Sequence, residues 1–388
     1  MLYMVQSGYQ PDTLLERTSQ YQQMTGHKVH LHFVEYKDLW EQVLRGVEEG
    51  LYDVVLTDVI WTHHLVETGA ILPLPPGLAR KVRTNMVSHI VKTFELDGDL
   101  WVFPFFMDFQ LLYTNRRILG EAGYSAPPGS LEELVAMARS MKRQNLIPYP
   151  LFIPLAREEV IVCELLMWAG AFGGGLSPLG GGRAPVRVNS PEAVKALGWL
   201  QGLLEEGLLN PYSLEADEVM ASQVFLAQDC AFTVNWVFLL GKIQDNLIMS
   251  SQSVPSPVPQ NLQRGDDDWS RSGSSVNGFQ GFSVLASSSH PDLSWDFISY
   301  LSEIDFHKQN PQELPPWKSI WDDPPPDNPY FTLKISQIPG LRDRPYHHRY
   351  MEISEILQEW THRILSEGLD PRWGLDQAQK AIQRILEP

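Results

Sequence analysis

Short apolar runs alternate along the chain with longer segments whose apolar residues recur every three to four positions. Residues 2–6 (LYMVQ) form the first run. Gly8 and Pro11 break it, and a helical pattern follows over about 13–25. Residues 28–34 alternate, with Val29, Leu31 and Phe33 on one face, which predicts a strand. Residues 37–49 predict a helix ending at Gly50, and the run Val54, Val55, Leu56 predicts a buried strand at 53–57. A strand–helix–strand–helix–strand order implies a parallel sheet with crossover helices.

Further helices are expected at 129–143, with Ser130 as N-cap, at 157–172, at 192–206 behind Ser190-Pro191, and at 214–228. A strand at 230–234 leads to Asn235-Trp236, and another carries Phe279, Phe282 and Val284. Helices follow from near Pro291 to Ser302, over 350–365 and over 374–386. The Gly/Pro-rich stretch 173–185 reads as a surface loop and the Ser-, Pro- and Asp-rich stretch 251–275 as a mobile one; 311–329 reads as irregular. No internal repeat is visible.

Two places in this pattern carry chemistry. The strand at 53–57 runs into Asp58, and Trp61 follows, so a carboxylate and an indole stand at the carboxyl end of a strand, where open α/β sheets bind ligands. The pair suits a sugar: the carboxylate accepts hydroxyl hydrogen bonds and the indole covers an apolar ring face. Asp58 could equally cap the next helix, with Trp61 in the core. The second place is Asp108, a lone acid inside the apolar stretch 100–114, where a charge is costly unless it has partners or faces a cleft.

Length implies two or more domains, since the chain has 388 residues. Twelve tryptophans exceed what packing needs, and Trp is favoured on binding faces. The net charge of −17 argues against nucleic acid and against an anionic membrane surface. No apolar run reaches the length of a membrane span. Met1 leads almost directly into a strand-like segment, which leaves a cytoplasmic protein or one whose export signal has been removed. Cys163 and Cys230 lie in apolar surroundings and read as buried thiols.

Catalytic motifs are absent: no GxSxG, no HExxH, no Walker loop, and no GxGxxG after a strand. His63-His64 and His347-His348 have no i,i+4 partner to make a metal site, and adjacent histidines on a helix diverge. Asp266-Asp267-Asp268 lacks EF-hand spacing. A glycosidase would need Asp58 and Asp108 to converge across a scissile bond, yet neither has an adjacent acid or base.

The order and spacing of several short motifs resemble the extracellular solute-binding proteins of bacterial ABC importers, of the maltose-binding-like class, over nearly the whole chain. Those of that class that bind trehalose, maltose or related α-glucosides are the nearest in pattern. Residues 50–55 (GLYDVV) look like its strand entering the site. Asp58-Val59-Ile60-Trp61 with Leu72-Pro73-Leu74 looks like its Asp-Val-x-Trp element. Asp108 before Leu111-Leu112-Tyr113 looks like its first hinge strand, Asn235-Trp236 like its Asn-Trp, and 277–280 (NGFQ) like its Gly-Gly-Trp-Gln. Arg344-Pro345 followed by Tyr350 is the most specific match.

The resemblance implies an α/β, two-lobed periplasmic-binding-protein-like fold of type II with a ligand cleft between lobes. One lobe would hold 1–109 plus 278–325, the other 110–277 plus 326–388. Asp58, Asp108 and Arg344 would hydrogen-bond sugar hydroxyls, and Trp236 and Phe279 would stack on rings. Trp61, Asn235, Gly278, Tyr350 and Gln10 would stand alongside. Phe279 replaces the Trp of close relatives, a smaller stacking face. Arg344 could instead serve a surface salt bridge, and Trp236, Trp61 and Trp168 core packing.

By the same resemblance the protein captures an oligosaccharide by hinge closure and delivers it to ABC permease membrane subunits with a cytoplasmic ATPase. It would act as a monomer, periplasmic or extracellular and membrane-anchored, with no cofactor, no metal and no reaction of its own. Two alternatives are the same fold binding a glycerophosphodiester and a carbohydrate-active enzyme.

Overall fold

In the computed structural model, the structure describes all residues except 7, 176–185, 262–272, 325–327, 329 and 388. The chain forms two compact units, Met1–Asp108 with Gly278–Phe331 and Phe109–Asn277 with Thr332–Pro388, each built from separate stretches of sequence. The α/β, two-lobed fold class expected from the sequence is the one found.

The first unit is built on a five-stranded sheet in the order His32–Val34, Leu2–Met4, Val54–Asp58, Gln280–Val284, Phe103–Phe106. The first three strands are parallel, as the helical crossovers Pro11–Thr25 and Tyr36–Glu49 require. The strand that returns from late in the sequence, Gln280–Val284, is antiparallel to both of its neighbours. Gly281 is needed there: a Cβ would meet the Phe103 carbonyl oxygen at 2.3 Å. Only a residue without a side chain lets the two backbones approach so closely.

The core of this unit is aromatic. Tyr9, Phe105 and Phe306 pack ring on ring, and Phe282 packs on Phe105. Inside it the Tyr9 hydroxyl and His307 Nδ1 share a hydrogen bond of 2.8 Å, and burial pushes the imidazole down to about 3.

The second unit carries a four-stranded sheet in the order Ser253–Ser256, Gln110–Asn115, Phe232–Trp236, Leu151–Phe152. Its helices start where the sequence places caps: Ser130 Oγ accepts from Glu133 N at 3.1 Å, and Ser190 Oγ from Ala193 N at 3.1 Å. The helix Glu159–Ala171 is apolar on nearly every side and buried along its length, with Pro191–Glu205 and Tyr350–Glu367 packed against it and Pro371–Leu386 packed on those two. Cys163 and Cys230 are both buried in this unit.

Several expectations change. Strand 28–34 shortens to His32–Val34, and its side chains are half-exposed or exposed, so the alternation read there is an edge-strand pattern. The stretch expected as a loop from 251 holds the strand Ser253–Ser256, which pairs antiparallel with Gln110–Asn115. Ser275 at the other end of that stretch lies in the strand Ser275–Val276, and 262–272, with the Asp266–Asp268 run, fall outside the described residues. Asn235-Trp236 lies within its strand rather than after it. His347 and His348 precede their helix, and their rings stack with centroids 4.5 Å apart instead of diverging. Among the described residues, no helix is long and apolar enough to cross a membrane.

Candidate ligand site

In the first unit the Val54–Asp58 strand is buried over all its residues and delivers Asp58 at its carboxyl end. The Asp58 carboxylate serves several donors at once. Oδ1 accepts from Ile60 N at 3.1 Å, the helix-cap bond read as an alternative from the sequence. Oδ2 accepts from the Tyr36 hydroxyl at 2.9 Å and from Gln280 Nε2 at 3.4 Å. Trp61, 2 % exposed, is stacked on by Tyr36 and Trp40, with centroids 6.0 and 5.3 Å apart and ring planes within 30° of parallel. His64 meets Trp40 edge-on. The Trp61 indole N–H is buried with no hydrogen-bond partner among the described residues.

Tyr36 and Trp40 are half-buried, so the aromatic layer is partly exposed beside a buried carboxylate that accepts from the Tyr36 hydroxyl. Such an arrangement is chemically suited to polyol hydroxyls and pyranose faces. Tyr36 and Trp40 were not singled out from the sequence. The signal was there: four residues apart on one helix, they share a face.

Other candidates in this unit have structural partners. Gly278 N donates to the Asp108 carbonyl at 3.1 Å, and Asp108 itself is 6 % exposed. Phe279 is fully buried, with the edge of its ring pair formed by His89 at 5.6 Å and its carbonyl accepting from Val59 N at 3.1 Å. An open stacking face was expected for Phe279; its ring is instead enclosed. Gln10 is exposed at the N-cap of the first helix, where its carbonyl accepts from Thr13 N at 3.0 Å.

In the second unit Asn235 is engaged with backbone. Its Nδ2 donates to the Glu218 carbonyl at 2.8 Å, and its Oδ1 accepts from Trp236 N at 2.9 Å. Trp236 is half-buried and packs against the unit's core, and its carbonyl accepts from the Tyr113 hydroxyl at 2.9 Å. Burial lifts the Glu218 carboxyl to about 7 and holds Lys242 below its usual value. Trp168 is core: it is fully buried and donates its indole N–H at 2.8 Å to Glu164, an acid that burial pushes well above its usual range.

Arg344 and Tyr350 are brought together by a residue the sequence did not announce. Glu159 Oε1 accepts from Arg344 at 3.1 Å and from the Tyr350 hydroxyl at 2.6 Å. Its Oε2 accepts from the Ser354 hydroxyl. The second arm of the guanidinium donates to the Asn277 carbonyl at 3.1 Å. Arg344 is thus in a buried ion pair, with side-chain exposures of 2 % and 13 %, not the surface pair considered above. Burial pushes the Tyr350 phenol well above its usual value, so it remains a donor. Next to this group, Asp343 Oδ1 accepts from Asn277 Nδ2 at 2.8 Å and from the Tyr346 hydroxyl at 2.9 Å.

Comparisons with known proteins bear on the family and the fold. Residues 16–306 match the family model described as bacterial extracellular solute-binding protein. A probable ABC transporter-binding protein of Deinococcus radiodurans is 28 % identical over 277 residues, an alignment that takes in 68 % of this chain. The alignment spans 61 % of that relative's length, less than two thirds of it. Among solved structures, the maltose-bound MalE3 of T. maritima superposes with a TM-score of 0.87 at 20 % identity, over 99 % of each chain. A solute-binding protein of Thermotoga lettingae bound to α-D-tagatose gives 0.86 at 18 %, covering 100 % of this chain and 99 % of that one. The GacH receptor of Streptomyces glaucescens, solved unliganded and with acarbose, gives 0.84 at 18 %, covering 100 % and 98 %. At these identities the likeness is one of fold.

Proposed function

The chain belongs to the bacterial extracellular solute-binding proteins, and from that premise we propose that it is the substrate-binding component of an ABC importer. Its substrate is a trehalose- or maltose-like α-glucoside, handed to permease membrane subunits that a cytoplasmic ATPase drives. The protein works as a monomer outside the cytoplasmic membrane, free or lipid-anchored, and catalyses no reaction.

The observation that carries this reading is the Asp58 carboxylate beside the Tyr36–Trp61–Trp40 stack. A hydroxyl acceptor next to half-buried aromatic faces is what an uncharged ring with many hydroxyls needs. Asp58, Trp61, Asp108, Trp236 and Arg344 are the side chains expected to contact the sugar. Maltose and acarbose on proteins of the same fold support a saccharide. A glycerophosphodiester is less well served, because Arg344 is already matched by Glu159.

The test is thermal unfolding against trehalose, maltose, sucrose, longer α-glucans and glycerophosphodiesters. A ligand at a hundredfold excess over its dissociation constant stabilises the native state by about 2.7 kcal/mol. We expect a rise in Tm with one α-glucoside that disappears in Trp236→Ala and Asp58→Asn. A rise with the phosphodiester alone would replace the sugar reading.

A further inference from the structure

We propose that Arg342 is an anion site in the second unit, holding a small tetrahedral oxyanion such as inorganic phosphate beside the last turn of the helix Glu159–Ala171. The site is separate from Arg344 and does not depend on what the protein carries.

The backbone fixes where the side chain starts. Leu341–Arg342 pairs parallel with Ser275–Val276, and the Arg342 carbonyl accepts from Asn277 N at 2.9 Å. From there Arg342 runs over Gly170, near the end of the buried helix. A Cβ at position 170 would meet Arg342 Nε at 3.1 Å and Cγ at 3.2 Å, besides the Ser274 hydroxyl. Glycine is a poor helix residue, and here its missing side chain makes room for the arginine stem. Arg344 meets Glu159 at the start of the same helix, roughly 16 Å away along the axis.

A cation at a helix C-terminus ordinarily caps open carbonyls, but these already have donors. Met167 O accepts from the Ser274 hydroxyl at 2.6 Å. Trp168 O and Ala169 O accept from Phe172 N at 3.1 and 3.2 Å, Gly170 O from Gly173 N at 2.9 Å, and Ala171 O from Asn261 N at 2.8 Å. Arg342 Nε is buried without an acceptor, and among the described residues no carboxylate pairs with its guanidinium. Burial alone sets the direction of its pKa, which lies below the usual value.

A buried donor without an acceptor calls for a water or an ion. Water would satisfy the N–H and leave the desolvated charge unmatched, whereas an oxyanion answers both. The planar guanidinium offers two parallel N–H donors to one such anion, and no carboxylate or carbonyl among the described residues splits that fork. Arg342 as a whole is half-buried, which leaves a small anion a way in.

The experiment is thermal unfolding of wild type and Arg342→Met against inorganic phosphate, with ionic strength held constant by chloride. Methionine keeps an apolar stem over Gly170 and removes the guanidinium. We expect phosphate to raise the Tm of wild type by mass action. Its apparent affinity for Arg342→Met should be weaker by about tenfold or more, since hydrogen bonds to a charged group are lost. No rise in wild type overturns the proposal. An equal rise in Arg342→Met also overturns it, because the phosphate would then act elsewhere on the surface. If Arg342→Met does not fold, Arg342→Lys, which keeps both stem and charge, identifies the Arg342 Nε–H signal in NMR spectra of arginine-labelled wild type by its loss. Phosphate should shift that signal in wild type, and a signal that stays in place overturns the proposal.

Discussion

At the scale of single residues, the most informative side chain is one the sequence did not mark. Glu159 is the first residue of an apolar helix, and its partners lie 185, 191 and 195 residues further on. No local pattern links positions so far apart, whereas Asp58 was legible because its strand, its cap bond and its aromatic neighbour are all local. The same contrast explains Phe279, whose motif is local but whose burial depends on how the surrounding chain packs. Because Glu159 serves three donors, substitutions around it will not add. Arg344→Ala strands a buried carboxylate and should cost about 3–5 kcal/mol. Tyr350→Phe, which removes a hydrogen bond to a charged group, should cost about 1.5–3 kcal/mol. In a Glu159→Gln background the Tyr350→Phe loss should fall by about 1 kcal/mol or more, read by urea denaturation of the four proteins in the cycle. Equal losses in both backgrounds would show that the node is not energetically coupled.

At the scale of elements, helices with strong caps and apolar faces were readable, and so was the buried Val54–Asp58 strand. The strand Ser253–Ser256 was not, because serine and proline are poor strand markers and an edge strand needs only one paired side. The helix Pro76–Asn85 escaped for a related reason: it buries only Ala79 and Val82 and leaves its basic residues to solvent. The helix Glu218–Leu226 carries a pH dependence. Its Glu218 sits at about 7 against an ordinary 4.5, so the folded state holds a proton that the unfolded chain has released between those values. The stability this contributes is fully present below about 4.5 and is lost as pH rises through about 7. Relative to Glu218→Gln, wild type should therefore lose Tm progressively from pH 4.5 to 7 and run parallel above it. Parallel curves throughout would place the carboxyl in water.

At the scale of the molecule, both units are assembled from non-contiguous sequence, which local patterns disclose only through the family likeness. The helices Tyr350–Glu367 and Pro371–Leu386 cover Glu159–Ala171 and Pro191–Glu205. A fragment of residues 109–277 alone would expose that apolar surface. It should aggregate or bind hydrophobic dye without a cooperative melt, while the same fragment joined by a short Gly/Ser linker to 332–388 should melt cooperatively. A cooperative melt of 109–277 alone would mean that the late helices are dispensable.

The place of Gln280–Val284 between Val54–Asp58 and Phe103–Phe106 has a consequence in time as well as in space. Thr57 and Ser283, whose hydroxyls hydrogen-bond between the two strands, are 226 residues apart. At typical rates of peptide synthesis, the first strand waits about 10–45 s for the one that completes the sheet beside it. Until then two strand edges stand open in the nascent chain, a template for chaperones or for aggregation. The first unit cannot close while the ribosome is still writing its middle, and that delay keeps the polypeptide threadable for most of its synthesis.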